Sequence, residues 1–309
     1  ILTTDRILAR KIDRAVFPGE QGGPHLNTIA AIAVAFKIAH SDPFKLLQKQ
    51  IRSNASRMAA RFTKLGIRVP FGGTDTHLVN LDCKSILGPD DTPLMGDTAS
   101  RILDLANIVV NRNTIPGDQS ALNPSGLRLG TTWISQRGFK AAEVDELTNL
   151  ISELLQSTKP YSYPKRYGIN TYRAKVGFQT LNEIKVKVRN LSHSMGIDYT
   201  PENYRYPHFY YIDQEPPTAE YVTLEIMGDQ AAQFLQAISS NDVTSLNVGQ
   251  SQNTEIRQEI NSVVCALTRT DEIIFQLCVP ASESVQTKTW LRDLSDGYIQ
   301  LCGDDLHAK

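Results

Sequence analysis

Residues 107–139, NIVVNRNTIPGDQSALNPSGLRLGTTWISQRGF, set one arginine between a polar loop and an alternating segment flanked by glycines. In Ser125-Gly126-Leu127-Arg128-Leu129-Gly130-Thr131 the leucines alternate with the arginine. A strand here buries Leu127 and Leu129 and turns Arg128 to the opposite face. A planar guanidinium on that face can hold a carboxylate through two parallel hydrogen bonds. The same segment also fits a plainer role, an arginine at a sheet margin paired with an internal acid. Just upstream, Asn111-Arg112-Asn113 and Ser120-Ala121-Leu122 flank Ile115-Pro116-Gly117-Asp118, a turn signal that reads by itself as a surface loop.

Working outward, Ile29, Ala30, Ala33, Val34 and Ile38 follow helical spacing, and the expectation is a buried helix over 26–40. Ser41-Asp42-Pro43 starts a second helix, which Gly66 closes. Strands are expected at 67–69, 77–82, 108–111 and 126–131, and helices at 96–106 and 141–156. Together these make an α/β domain. Residues 157–170, STKPYSYPKRYGIN, read as a linker. Beyond it, Tyr172, Val176, Leu181, Ile184, Val188 and Leu191 fall at near-helical intervals, and residues 207–213 are aromatic and strand-like. From 220 onward the pattern is a strand, a Gly228-Asp229 turn, an amphipathic helix with Ala232, Phe234, Leu235 and Ile238, then hairpins.

A chain of 309 residues is long enough for about two domains with cores of their own. Its net charge of -1, with 21% charged residues, carries no basic excess for nucleic acid or an anionic membrane, and neither partner is expected. The longest apolar stretch, residues 29–39, is interrupted by Lys37 and falls short of the ~20 residues of a membrane span. Four dispersed cysteines suit a reducing, cytoplasmic setting, and the six histidines show no HxxxH or HExxH pairing that would hold a metal.

Three ordered stretches carry a resemblance: IDRAVFPGEQGGPHLNTIAAIAVAFKIA (12–39), GGTDTHLVNLD (72–82) and residues 107–139. They closely resemble the carboxy-terminal part of serine hydroxymethyltransferase, a fold type I enzyme that uses pyridoxal phosphate. The resemblance implies that Arg128 binds the carboxylate of serine or glycine. It also implies that Gly22 and Gly23 touch the cofactor phosphate held by a neighbouring subunit, hence a homodimer. Asn113, Ser120, Ala121 and Leu122 would contact the pterin of tetrahydrofolate, the co-substrate. The cofactor lysine of the family sits in a Thr-His-Lys motif absent from these 309 residues, so no catalytic residue is expected here and the isolated chain is expected to be inactive. The start at Ile1-Leu2-Thr3-Thr4 reads as a partial sequence. Thr74, Asp75 and His77 invite an acid–base reading, but a structural use is favoured.

The stretch YVTLEIMGDQAAQFLQAISSNDVTSLNVGQSQNTEI and the later LCVPASESVQTKTWLRDLSDGYIQL resemble the folate-binding domain of the glycine cleavage aminomethyltransferase. In Ile260-Asn261-Ser262-Val263-Val264-Cys265 valines stand where that family has an acid pair, which removes the residues for its chemistry. The expected fold class is α/β, the carboxy-terminal part of a fold type I transferase followed by an α+β folate-binding module. The expected divisions are 1–40, the end of the cofactor-binding large domain, 41–158, the small domain, and 159–309, the partial folate-binding domain. The expected activity is hydroxymethyl transfer between serine and tetrahydrofolate. Two readings compete: a folate-independent aldolase acting on threonine, and a non-catalytic folate-binding or assembly module.

Overall fold

The computed structural model describes residues 2–164, 170–195, 219–258 and 261–300. It is a mixed α/β structure in two compact units, Ile1–Lys49 and Gln50–Lys309. In the first, helix α1 (Arg6–Arg14) begins where the Asp5 carboxylate accepts hydrogen bonds from the amides of Ile7 (2.7 Å) and Leu8 (3.0 Å). An irregular turn over Ala15–Glu20 contains a cis Phe17-Pro18 bond, and helix α2 (Leu26–Ala39) follows. The expected helix is therefore present, but the expected burial is not. Ile29, Val34 and Ile38 are 54, 58 and 57% exposed. Alanine, leucine and isoleucine make the helix locally, whereas burying an all-round apolar surface needs a covering layer that residues 1–49 do not themselves provide.

Helix α3 (Asp42–Lys64) carries Pro43 in its first turn and ends at Gly66, whose φ of 82° suits a helix terminus that only glycine reaches without strain. Its buried residues Ile51, Ala55, Met58, Ala59 and Phe62 recur at helical spacing. There follow β1 (Leu78–Asp82), α4 (Gly96–Leu105), β2 (Asn111–Asn113), β3 (Gly126–Gly130), α5 (Thr132–Gln136) and α6 (Ala141–Gln156). The three strands form an antiparallel sheet in the order β1-β3-β2. Its apolar face, with Val79, Leu81, Leu127 and Leu129 buried, joins a core containing Phe62, Ile102, Leu103, Ile151 and Leu154.

Two strand expectations shift. Ile108 does not belong to a strand, because its amide closes on Leu103 O at the end of α4 and Asn107 turns at φ 62°. Pairing begins only at Asn111. Residues 67–69 make a single bridge, Arg68 to Asp82, instead of a strand.

The described part of the expected linker is instead mostly strand. β4 (Lys159–Pro164) pairs antiparallel with β5 (Asn170–Gly177), and Pro160 is accommodated because β4 lies at the sheet edge. The helical interval expected from 171 begins only with α7 (Phe178–His193). Before it, Tyr172, Ala174 and Val176 alternate at period two, the signal that prevails.

Next come β6 (Tyr221–Met227), α8 (Ala231–Ile238), β7 (Ser251–Arg257), β8 (Ser262–Arg269), β9 (Ile274–Pro280), α9 (Ala281–Ser295) and β10 (Ile299–Gln300). The expected order of strand, Gly228 turn, helix and hairpins is present, as an antiparallel sheet β6-β9-β8-β7. β10 runs parallel to β5. The aromatic segment 207–213 lies outside the described residues. No helix among the described residues is long and apolar enough to cross a membrane.

Candidate functional site

Arg128 sits on the central strand of the first sheet. The register places Asn80 of β1 opposite it on one side and Asn111 of β2 on the other. Partners in register project to the same face. A row of carboxamide, guanidinium and carboxamide therefore crosses three strands, on the face away from the core. Leu127 and Leu129 are buried and Arg128 is exposed, as the alternation requires.

The pairing with an internal acid does not occur. Asp82 lies on this face one rung along, yet its carboxylate is taken by Arg68 and by the amide of Lys84 at 3.0 Å. Arg112 points the other way and pairs with Asp97. Among the described residues the Arg128 guanidinium makes no hydrogen bond or ion pair. Its donors remain available to a ligand.

The loop between β2 and β3 is bent back over this face. A Cβ on Gly126 would stand 2.4 Å from Ile115 Cγ2 and 2.8 Å from Asn113 O, so Ile115 packs where a side chain would be. Asp118 ties the loop together. Its carboxylate accepts from the amides of Ile115 and Ser125, both at 3.0 Å, from the Ser125 hydroxyl, and from Lys84 Nζ at 3.3 Å. Burial pushes this carboxyl upward, but the Ser125 hydroxyl, the two amides and Lys84 outweigh it and hold the pKa down to about 2.

Asn113 is half-buried on the same face as Arg128, two residues along the adjacent strand, and donates from Nδ2 to Thr114 O at 2.8 Å. Ser120, Ala121 and Leu122 are exposed at the crest of the tied loop, where Leu122 N donates to Ser120 Oγ at 3.1 Å. The structure thus brings Arg128, Asn113 and residues 120–122 into one sheet-and-loop assembly.

Gly22 and Gly23 belong to the other unit. Both are exposed, and a Cβ at either would meet nothing within 4 Å. They precede α2, whose cap residue His25 supplies no side-chain hydrogen bond to the first turn, and a helix start of this kind suits an anion such as a phosphate.

The carbonyls of Asp75 and His77 accept from Arg52 Nε at 2.9 Å and from Thr131 N at 3.0 Å. On β8, Val263 is buried in the core and Val264 is 64% exposed. No group of three or more metal-ligating side chains occurs among the described residues.

Sequence reading alone missed Asp118 and Asn80. The first was absorbed into a turn signal, since its four donors come from positions 84, 115 and 125. The second carried a legible sign, an asparagine between the apolar residues Leu78-Val79 and Leu81 of its strand.

Residues 3–151 match the family model described as serine hydroxymethyltransferase. The chain is 44% identical over 149 residues to a serine hydroxymethyltransferase of Bombyx mori, covering 48% of this chain and 31% of that protein. It is 43% identical over 176 residues to one from Caenorhabditis briggsae, covering 57% and 33%. A mitochondrial serine hydroxymethyltransferase of Schizosaccharomyces pombe is 46% identical over 152 residues, covering 49% and 30%. The chain spans about a third of the length of the curated relatives it matches. The sheet with Arg128, its tied loop and the glycine turn before α2 all fall inside the stretch that matches the serine hydroxymethyltransferase family.

Proposed function

We propose that this chain supplies the substrate-carboxylate and folate contacts of an enzyme that transfers the hydroxymethyl group of serine to tetrahydrofolate. The products are glycine and methylene-tetrahydrofolate. The observation that carries the reading is Arg128, whose guanidinium has no partner among the described residues and stands on the polar face of a sheet where Asp82 is already engaged by Arg68. Arg128 binds the amino-acid carboxylate through two parallel hydrogen bonds and so orients the substrate. The Asn113 carboxamide and the backbone of residues 120–122 meet the pterin, whose edge presents both donors and acceptors. Gly22 and Gly23 offer backbone amides to the phosphate of pyridoxal phosphate, and their open surroundings fit that group. When bound, that cofactor supplies the electron sink for carbon–carbon cleavage. A homodimer, a cytoplasmic setting and a folate-binding role for residues 159–309 belong to the same proposal.

The test is serine-dependent transfer by the native polypeptide with pyridoxal phosphate and tetrahydrofolate. Arg128→Ala is expected to raise the serine requirement about 100-fold, the scale of two hydrogen bonds to a charged group, while cofactor binding is spared. Unchanged serine dependence overturns the assignment. Cleavage that proceeds equally well without folate transfers the reading to a threonine-type aldolase.

A further inference from the structure

Asn80 lies directly across from Arg128 in the β1–β3 pair. Its carboxamide oxygen is shut off from solvent and has no hydrogen-bond partner. Buried polar atoms are nearly always partnered, so an orphaned acceptor beside a ligand-binding group asks for a donor that arrives in another state. The strand pair itself leaves one source. Along β1 the neighbours on this face are Leu78 and Asp82, and diagonally across on β3 they are Gly126 and Gly130. None of these four side chains is a donor, Asp82 being paired with Arg68. Arg128, with five N–H groups, is the side-chain donor of this strand pair within reach, since residues paired across strands carry Cβ atoms about 4.5–5.5 Å apart.

Resting on the carboxylate reading of Arg128, we infer that Asn80 is a positioning residue: its carboxamide oxygen accepts one guanidinium N–H when Arg128 closes on a substrate carboxylate. One N–H given to Asn80 leaves four, including a parallel pair for the two carboxylate oxygens. The bond orients the guanidinium plane and satisfies the orphaned oxygen in the same movement. An apolar residue at position 80 would let the arginine swing through several rotamers, and ordering it would then weaken binding.

Calorimetric titration of glycine into the native polypeptide loaded with pyridoxal phosphate decides the matter in a double-mutant cycle. Asn80→Leu is expected to weaken glycine binding about 10-fold, the worth of one hydrogen bond to a charged group. In an Arg128→Met background the same substitution is expected to change it less than twofold, because the group Asn80 orients is gone. Asn80→Ala serves as a second variant in case leucine perturbs the sheet, and far-UV circular dichroism melts check folding of each. Equal losses in both backgrounds show a purely structural asparagine and overturn the inference. If Arg128→Met weakens glycine binding and neither Asn80 variant does, the inference falls while the functional reading stands. If Arg128→Met leaves the affinity unchanged, both fall.

Discussion

Asp118 illustrates how one carboxylate can hold a whole loop in place. Its folded-state pKa of about 2 lies below the ordinary 3.8. The stabilisation is therefore complete above pH ~4 and disappears as the pH falls through about 2, an effect on the order of 1–2 kcal/mol after allowing for solvent screening. Acid titration of stability is expected to show this loss, and Asp118→Asn to remove most of it. On the proposed function, because the tie sets the loop and not the guanidinium, Asp118→Asn is also expected to raise the tetrahydrofolate KM about 10-fold with little change for serine. Steady-state kinetics against each substrate checks the split. At this scale Arg128 was legible because alternation with two leucines dictates its face. Asp118 was not, because its partners are as far away as Lys84.

Elements were legible where one period dominated. The α6 helix is bounded as its periodicity requires, and α3 stops at its glycine. Misreadings came where local signals conflicted: prolines in β4 suggested a linker, yet an edge strand tolerates them, and β2 consists of polar residues that no hydrophobic pattern marks. β2 is held in place partly by the bare Cα of Gly126. Gly126→Ala would drive its methyl into Ile115 and the Asn113 carbonyl, at 2.4 and 2.8 Å. The expected cost is about 2–3 kcal/mol in urea denaturation and, on the proposed function, weaker serine binding as the Asn111–Arg128 rung is displaced. A neutral Gly126→Ala would mean that the loop does not rest on this strand.

Across residues 50–309 one apolar cluster runs from Ala55 on α3 to Ile299 on β10. Arg101 of α4 reinforces it electrostatically, reaching Asp293 at 3.4 Å and Asp296 on the α9 side while also bonding Asp104 at 2.9 Å. Arg101→Met is expected to lower stability by about 1 kcal/mol, with most of the difference erased at 1 M salt, since these groups are partly solvated. Thermal melts at two ionic strengths read this directly. The resemblance of residues 3–151 was readable from the stretches 12–39, 72–82 and 107–139, whereas the link from Arg101 to Asp293 and Asp296 was not, because those partners stand nearly two hundred positions away.

The apolar coat of α2 bears on how the polypeptide behaves in a tube. Leu26, Ile32 and Phe36, 70, 47 and 71% exposed, join the isoleucines and valine around one helix. Surfaces of this kind bind hydrophobic dyes and draw molecules together as concentration rises. Light scattering should therefore increase steeply with protein concentration for residues 1–309. A preparation shortened to residues 50–309 should stay clear, with the sheet that displays Arg128 intact.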